Sequence, residues 1–96
     1  MLTSKERANI RSKISTTDSV CYVGKEGLSE STLESISLVL KHREGIKISV
    51  LQNCDEDLKQ LMNEICLRLF AEPIGVVGRK ILIYKYNPEN KKHFLD

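Results

Sequence analysis

The sequence predicts one α/β domain with the element order α-β-α-β-α-β-β, in which three helices pack on a four-stranded mixed sheet. Two observations carry this prediction. A chain of 96 residues is too short for two independent hydrophobic cores, and its 41% apolar and 29% charged residues are ordinary for a globular domain. Short β-branched runs also alternate with stretches whose apolar residues recur at helical spacing, which is typical of strand–helix–strand units.

The first element is a helix that we expect from about residue 4 to residue 14. Thr3 and Glu6 have the spacing of a capping box, in which the threonine hydroxyl accepts from a first-turn amide and the glutamate accepts from the amide of the cap. Residues 15–19 are small and polar, so we predict a loop there.

A buried strand and a second helix follow, joined by a glycine-flanked loop. Val20–Val23 is a short apolar run that predicts the strand. After Gly24–Gly27, Ser29 is suited to cap a helix that runs to about Arg43. Gly45 is then well placed as the residue that ends this helix, because glycine readily adopts a left-handed conformation.

The next strand and helix are predicted over residues 46–69. Ile46–Val50 alternates apolar and polar side chains, which predicts a strand with one buried face. Asp55, Glu56 and Asp57 carry negative charge, which is favoured at a helix start, and residues 58–69 are amphipathic. Pro73 prevents further continuation of the helix.

The last two strands form a predicted hairpin. The apolar runs 74–77 and 81–86 are separated by Gly78-Arg79-Lys80, which is typical of a turn. We expect right-handed crossovers between parallel strands for the helical connections and an antiparallel final pair. Residues 87–96 form a polar tail that we expect to fray.

Composition excludes several classes of protein. No apolar run approaches the roughly 20 residues of a membrane helix, and residues 1–7 lack the apolar stretch of a secretory signal. Cys21, Cys54 and Cys66 are an odd number without a CxxC pair, which favours a reducing compartment over a disulfide framework or a zinc site. We therefore expect a soluble, cytoplasmic domain.

No pattern in the chain predicts an enzyme or a metal site. His42 and His93 have no cysteine or acid at ligand spacing, and neither a P-loop nor a GxGxxG motif is present. Cys54, near a helix start, is a candidate for modest reactivity, whereas Cys66 reads as a small buried side chain. No base is placed beside either thiol by the sequence.

The net charge of +2 hides an uneven distribution. Residues 1–25 and residues 73–96 each carry five basic and two acidic side chains, whereas residues 26–72 carry five basic and nine acidic ones. If both chain ends fold onto one side, they form a cationic face that suits a polyanion. Chance scatter on a solvated surface is the alternative that charge alone leaves open.

The loop Gly24-Lys25-Glu26-Gly27, between a strand and a capped helix, is the most informative motif. Its glycines permit positive φ and close approach of a ligand, the helix start favours a phosphate, and Lys25 adds a positive charge. Glu26 opposes phosphate binding. Spacing alone leaves a plain strand-to-helix turn open, and a second GxxG, residues 75–78, has apolar central residues and is interpreted as structural.

Four stretches together resemble the CRM domain, the chloroplast RNA splicing and ribosome maturation module. They are Leu2–Arg7, Val23–Glu30, Arg43–Ile48 and Val76–Lys85, in the order and spacing of that family. The resemblance covers residues 2 to 86, and the single-domain length is similar to that of the bacterial stand-alone, YhbY-type members.

The resemblance implies an α/β fold similar to the C-terminal domain of bacterial translation initiation factor three. It also implies an RNA-binding domain over residues 2–86, followed by a polar tail over residues 87–96. The implied partner is 23S rRNA in pre-50S particles. The protein is expected to act as a monomer, without a cofactor, a metal, a membrane or a small-molecule substrate. The family's GxxG loop corresponds to Gly24–Gly27 and its glycine-basic turn to Gly78–Lys80. The expected RNA-binding residues are Gly24, Lys25, Glu26, Gly27, Lys5, Arg7, Arg11, Lys13, Arg79, Lys80 and Lys85.

Several of these assignments have a structural alternative. The basic residues of the first helix suit a solvated face as well as RNA, and Arg79 and Lys80 suit a soluble turn. Tyr84 and Tyr86 are expected on one face of the last strand, where they either stack on bases or complete the core.

The alternative function is a protein-interaction adaptor with acidic helices, to which RNA binding is incidental. Its motivating residues are Glu30, Glu34, Glu56, Asp57 and Glu64.

Overall fold

Three helices and four strands follow one another in the predicted order in the computed structural model, which describes residues 2–95. The helices are α1 (Ser4–Ser15), α2 (Glu30–Arg43) and α3 (Leu58–Leu69). The strands are β1 (Ser19–Val23), β2 (Gly45–Val50), β3 (Glu72–Val77) and β4 (Lys80–Tyr84). The predicted α/β class and element order are confirmed.

The helices begin where the local chemistry predicts. Thr3 and Glu6 form both halves of the capping box at the start of α1. Ser29 caps α2 and Asp57 caps α3, each accepting a hydrogen bond from the amide three residues ahead.

The strand order across the sheet is β1-β2-β4-β3. β1 and β2 are parallel neighbours, whereas β4 lies between β2 and β3 and is antiparallel to both. The predicted parallel pair and the predicted antiparallel hairpin are therefore confirmed. The chain's last strand occupies an inner position, so β2 and β3 are parallel to each other without being paired.

Helices cover both faces of this sheet. On one face, Ile46, Ile48, Ile81 and Ile83 join the core that α2 and α3 cover. On the other, Ile10 and Ile14 of α1 pack on Ile74, Leu82 and Tyr84. Burial of such a side chain contributes about 1.5–3 kcal/mol, so β4, which is buried on both faces, anchors the two layers together.

The prediction of one buried face for β2 is wrong. Its residues are buried except for Lys47, which is half-buried. At Gly45 and Lys47 the polar side of β2 does not face open solvent, because the tail and α1 lie against it. Lys47 donates from Nζ to the Ser15 carbonyl at the end of α1 at 3.0 Å, and Gly45 lies under the ring of Phe94.

The end of α2 also differs from the prediction. Glu44, not Gly45, is the capping residue with positive φ (65°), and its amide donates to the Leu40 carbonyl. Gly45 begins β2, and a Cβ there would lie 2.9–3.0 Å from atoms of the Phe94 ring. Glycine is required at this position by packing.

α3 ends at the predicted residue, although Pro73 is not what ends it, and β4 ends earlier in the chain than predicted. α3 ends at Leu69 because Phe70 adopts a left-handed conformation with φ 57°, while Pro73 lies inside β3. β4 ends at Tyr84, and Tyr86 is outside the strand. The hairpin turn consists of Gly78, with φ 59°, and Arg79, so Lys80 already belongs to β4.

The tail does not fray as predicted over its described residues, 87–95. Glu44 is fully buried, and its carboxylate accepts hydrogen bonds from the Asn87 amide (3.0 Å), Asn90 Nδ2 (3.3 Å), His93 Nδ1 (2.7 Å) and the Phe94 amide (2.8 Å). A composition-based expectation missed this arrangement because the anchor lies about 45 residues upstream of the tail that it holds.

These hydrogen bonds set the ionisation of Glu44. Burial alone raises the pKa of this carboxyl, but the bonds from Phe94, His93, Asn87 and Asn90 outweigh it and lower the pKa below its usual range. The unfolded chain therefore binds the proton more readily. The contribution of the Glu44 carboxylate to the free energy of unfolding is complete above the ordinary carboxyl pKa of about 4.3. It is lost as the pH falls through the lowered pKa of the folded state.

We expect Glu44→Gln to lower the free energy of unfolding at pH 7 by about 1–3 kcal/mol, because an amide NH₂ then faces a backbone or side-chain donor. Urea unfolding measures this loss, with Glu89→Gln, an exposed change in the same tail, as the control. As the pH falls below about 4.3, the wild type should lose stability more steeply than Glu44→Gln. Equal stability of Glu44→Gln and the control Glu89→Gln at pH 7 would contradict the anchoring role.

All three cysteines are buried, so the predicted reactivity of Cys54 is wrong, and the predicted burial of Cys66 is confirmed. Burial raises the pKa of the Cys21 thiol, and burial together with the Glu72 carboxylate raises the pKa of Cys66 to about 12. We expect no rapid reaction of the native protein with Ellman's reagent and reaction of all three thiols in urea. A fast native thiol, assigned by Cys54→Ser, would contradict this burial.

Candidate nucleic-acid interface

Three loops meet at one end of the sheet. The Leu51 amide donates to the Val23 carbonyl, and the Val50 amide donates to the Arg79 carbonyl, each at 2.8 Å. These bonds join the ends of β1 and β2 to the β3–β4 turn. The structure thus brings the Gly24–Gly27 loop and the Gly78 turn to the same end of the molecule.

The Gly24–Gly27 loop is a tight turn. The Gly27 amide donates to the Gly24 carbonyl at 2.9 Å, and only Gly27 of the two glycines has positive φ (70°). Lys25 and Glu26 are exposed at the tip. The loop therefore presents one positive and one negative side chain to solvent.

The surroundings of this loop are more acidic than the motif alone indicates. A Cβ added to Gly27 would overlap the Glu56 carboxylate, so Glu56 lies directly against the loop. A broad depression beside the loop contains Lys25 together with four carboxylates. Those carboxylates belong to Glu26, Asp55, Glu56 and Glu64. A phosphate is therefore disfavoured in this depression.

Arg7 and Arg11, one turn apart on α1, both lie over β3. Arg7 donates to the Pro73 carbonyl and pairs with Glu72 at 3.4 Å. The Arg11 guanidinium lies over Gly75, since Nη1 would be 3.2 Å from a Cβ there. The absence of a side chain at Gly75 makes room for Arg11, which gives the second GxxG a packing role.

The other two basic residues of α1 differ in exposure. Lys5 is exposed. Lys13 is half-buried, and its Nζ lies 3.4 Å from the Phe94 carbonyl of the tail. Part of the basic charge on α1 thus also holds the fold together.

Arg79 connects the hairpin to the loop after β2. Its Nε donates to the Val50 carbonyl at 3.1 Å, and its Nη2 donates to the carbonyls of Leu51 and Cys54 at 2.8 and 3.0 Å. Three of the five guanidinium N–H donors are therefore used inside the protein. The two donors on Nη1 are the ones that an RNA phosphate would engage.

Lys80 and Lys85 lie at opposite ends of β4. Lys80 is exposed next to the Gly78 turn, and its Nζ donates to Ser49 Oγ at 3.1 Å. Lys85 donates to the Leu69 carbonyl at the end of α3 (2.9 Å) and lies over the ring of Phe70. The structure therefore separates Lys85 from Lys80 and the Gly78 turn.

The tyrosines are arranged differently from the sequence interpretation. Tyr84 is buried against Phe94, and Tyr86, beyond the strand, stacks on His93 with 4.5 Å between ring centroids. Tyr22, predicted inside a buried strand, is instead 60% exposed. A register shift between Ser19 and Cys21 places Tyr22 on the α1 face of the sheet, and a local apolar run cannot reveal such a shift.

Lys47 is not among the RNA-binding residues that the sequence predicts. It lies on the same face of the sheet as Tyr22, beside the exposed Lys80. The alternation of β2 is the signal that places Lys47 on this face, but its neighbours depend on strand order, which is not local.

Two negative findings bound the chemistry of residues 2–95. Within this range, no helix is both long and apolar enough to cross a membrane. Nor do three or more histidine, cysteine or acidic side chains come together there in a way that would hold a metal ion.

Known proteins resemble this chain along nearly all of its length. The family model for the CRS1 / YhbY (CRM) domain matches residues 2–85. A Bacillus subtilis protein named "Probable RNA-binding protein YqeI" is 35% identical over 92 residues, 96% of each chain. A Haemophilus influenzae protein named "RNA-binding protein" is 29% identical over 91 residues, 94% of this chain and 91% of its own.

The fold comparison agrees with the sequence comparisons. The solution structure of SAV1595 from Staphylococcus aureus matches with a TM-score of 0.82 and 36% identity over 95% of both chains. The matched residues 2–85 include the GxxG loop, the Gly78 turn and all seven helices and strands. This chain therefore belongs to the CRS1 / YhbY (CRM) domain family.

Proposed function

We propose that this protein is a non-enzymatic RNA-binding protein that associates with 23S rRNA in pre-50S particles and assists assembly of the large subunit. We further propose that it acts in the cytoplasm as a monomer. Family membership and relatives that are named RNA-binding proteins support RNA as the ligand. The observation that carries the proposal is an excess of positive charge on the α1 face of the sheet.

That excess follows from the fold. On the α1 face, leaving the tail aside, α1, the loop after it and the sheet bear six basic side chains and three acidic ones. The basic ones are Lys5, Arg7, Arg11, Lys13, Lys47 and Lys80, and the acidic ones are Glu6, Asp18 and Glu72. On the opposite layer, α2 and α3 together carry four Lys or Arg against three Glu, two of which, Glu30 and Glu64, pair with Arg68. A polyanion is therefore drawn to the α1 face.

The proposed binding mode is mainly contact with the RNA backbone. Lysine and arginine neutralise phosphates and release counterions, a contribution that does not depend on base sequence. Lys25 at the loop tip extends this surface to the end of the sheet where the turn also lies. The proposed contacts are Gly24, Lys25, Glu26, Gly27, Lys5, Arg7, Arg11, Lys13, Arg79 and Lys80. Lys85 is a further proposed contact, which applies only where the RNA extends to the opposite end of β4.

A second candidate function is a protein-binding adaptor. One observation favours it: Leu67 and Phe70, at the end of α3, are 78% and 85% exposed, and Leu38 of α2 is 56% exposed. The acidic helix residues favour it less, since Glu30 and Glu64 are already paired with Arg68. The adaptor would be favoured if a protein partner is captured and remains bound both after RNase treatment and after the basic side chains are neutralised by mutation.

The charge dependence of RNA binding tests the first proposal. We expect Lys5→Ala/Lys25→Ala to lower the slope of log Kd against log salt for transcribed 23S rRNA by roughly 1.5, since each lost phosphate contact removes about 0.7–0.9. Filter binding between 50 and 300 mM KCl measures this slope. The control is Lys41→Ala/Lys59→Ala, which removes two exposed lysines of α2 and α3. Equal slopes for both variants, or a flat wild-type slope, would contradict binding on the α1 face.

The ribosomal part of the proposal has a separate test. In a sucrose gradient of cell lysate, we expect the protein to sediment with large-subunit precursors at low salt and to be released at high salt, because the contacts are electrostatic. Immunoblotting of the fractions gives the distribution. A protein that remains at the top of both gradients would contradict the ribosomal role while leaving RNA binding as such intact.

A further inference from the structure

One row of residues crosses the whole sheet beside α1. Tyr22 of β1 pairs with Ser49 of β2, Ser49 pairs with Lys80 of β4, and Lys80 pairs with Val77 of β3. We call these four residues the open row. All four side chains lie on the α1 face, because residues directly opposite each other on paired strands point to the same side.

No helix covers the open row because α1 is too short to reach it, although Ser49 within the row is buried and bonds to Ser19 and Lys80. α1 ends at Ser15, whose carbonyl accepts from Lys47, and Lys47 lies one step along β2 from the open row on the same face. Beyond that point Tyr22 is 60% exposed and Val77 is 48% exposed. This face of the sheet therefore changes from an apolar core under α1 to a platform open to solvent.

Tyr22 has the properties of a stacking residue. Its strand neighbours Cys21 and Val23 are buried on the opposite face, so the backbone that carries the ring is held firmly. The ring projects from an edge strand, where a ligand can approach it from outside the sheet. A rigidly mounted and exposed aromatic ring pays little entropy when a planar partner binds.

Cations stand beside this ring. The Lys80 ammonium donates to Ser49 Oγ at 3.1 Å, and Ser49 is the residue paired with Tyr22 on the neighbouring strand. Lys47 lines the same shallow depression, whose one acidic residue is Asp18. The depression therefore combines an aromatic ring, two ammonium groups and the hydroxyls of Ser19 and Ser49.

We propose that Tyr22 stacks on a base of single-stranded RNA while Lys80 and Lys47 bind the adjoining phosphates. This inference rests on the proposed RNA-binding function and adds to it the kind of RNA that the open row accepts. Every base presents a π-face, so stacking of this kind is tolerant of sequence. A duplex keeps its base faces stacked on each other, so it has no base to offer Tyr22.

Two RNA probes test this assignment: a 12-nucleotide single strand without self-complementarity and a 12-base-pair duplex. We expect Tyr22→Ala to weaken binding of the single strand about 5- to 100-fold by fluorescence anisotropy and to change duplex binding less than about twofold. Tyr22→Phe keeps the ring and should bind the single strand like the wild type. The matched control is Tyr86→Ala, which removes an exposed tyrosine at the other end of β4 and should leave both affinities unchanged.

A second readout follows the ring itself. The chain contains no tryptophan, so Tyr22→Trp introduces a single indole at the proposed stacking position. We expect the single strand to quench its fluorescence, because a stacked base quenches the excited indole. Tyr86→Trp should show no such quenching. This readout does not require Tyr22→Ala to fold.

The outcomes separate the two proposals. A wild type that binds neither 23S rRNA nor either probe overturns the RNA-binding function and this inference with it. A wild type that binds rRNA or the duplex but not the single strand overturns only the assignment of Tyr22. Equal binding of the single strand by the wild type and Tyr22→Ala, without quenching in Tyr22→Trp, also overturns it.

Discussion

The burial of β4 on both faces is the constraint on which the rest of this structure depends. Ile81 and Ile83 lie under α2 and α3, while Leu82 and Tyr84 lie under α1. A central strand that is apolar on both sides needs a helical layer on each face. The α1 layer has three turns and covers only part of the sheet, so the α1 face is divided into a core and an open platform. The proposed stacking site at Tyr22 is what this partial coverage leaves exposed.

Glu44 completes the layer that α1 begins. Its left-handed backbone is unfavourable for a non-glycine residue and ends α2 abruptly. A glycine would relieve that strain but would lack the carboxylate that binds the tail. The four hydrogen bonds to the tail offset the strain and bring Phe94 against Gly45 and Tyr84. Phe94 thereby covers Tyr84 at the end of β4, which would otherwise be exposed beside α1.

Local chemistry was predictable and non-local geometry was not. The caps at Thr3 and Ser29 and the order of elements follow from spacing and side-chain type, and the structure agrees. The inner position of β4, the bonds from Arg79 to the loop after β2 and the tail held by Glu44 join residues far apart in the chain, which no local pattern encodes. Tyr22 was missed because a one-residue register shift decides which face its side chain occupies. The candidate site was thus predicted in its residue types and only partly in its geometry.

The charges around the GxxG loop favour one side of the loop for RNA in the proposed complex. Carboxylates of Asp55, Glu56 and Glu64 crowd one side of the loop, while the α1 face on the other side carries the excess of lysine and arginine. In the proposed complex, an RNA strand that contacts Lys25 would be repelled from the first side and drawn along the second, toward Lys80. That path crosses the open row. A loop that is ambivalent in charge by itself becomes selective for one route because the fold places its acidic neighbours on a single side.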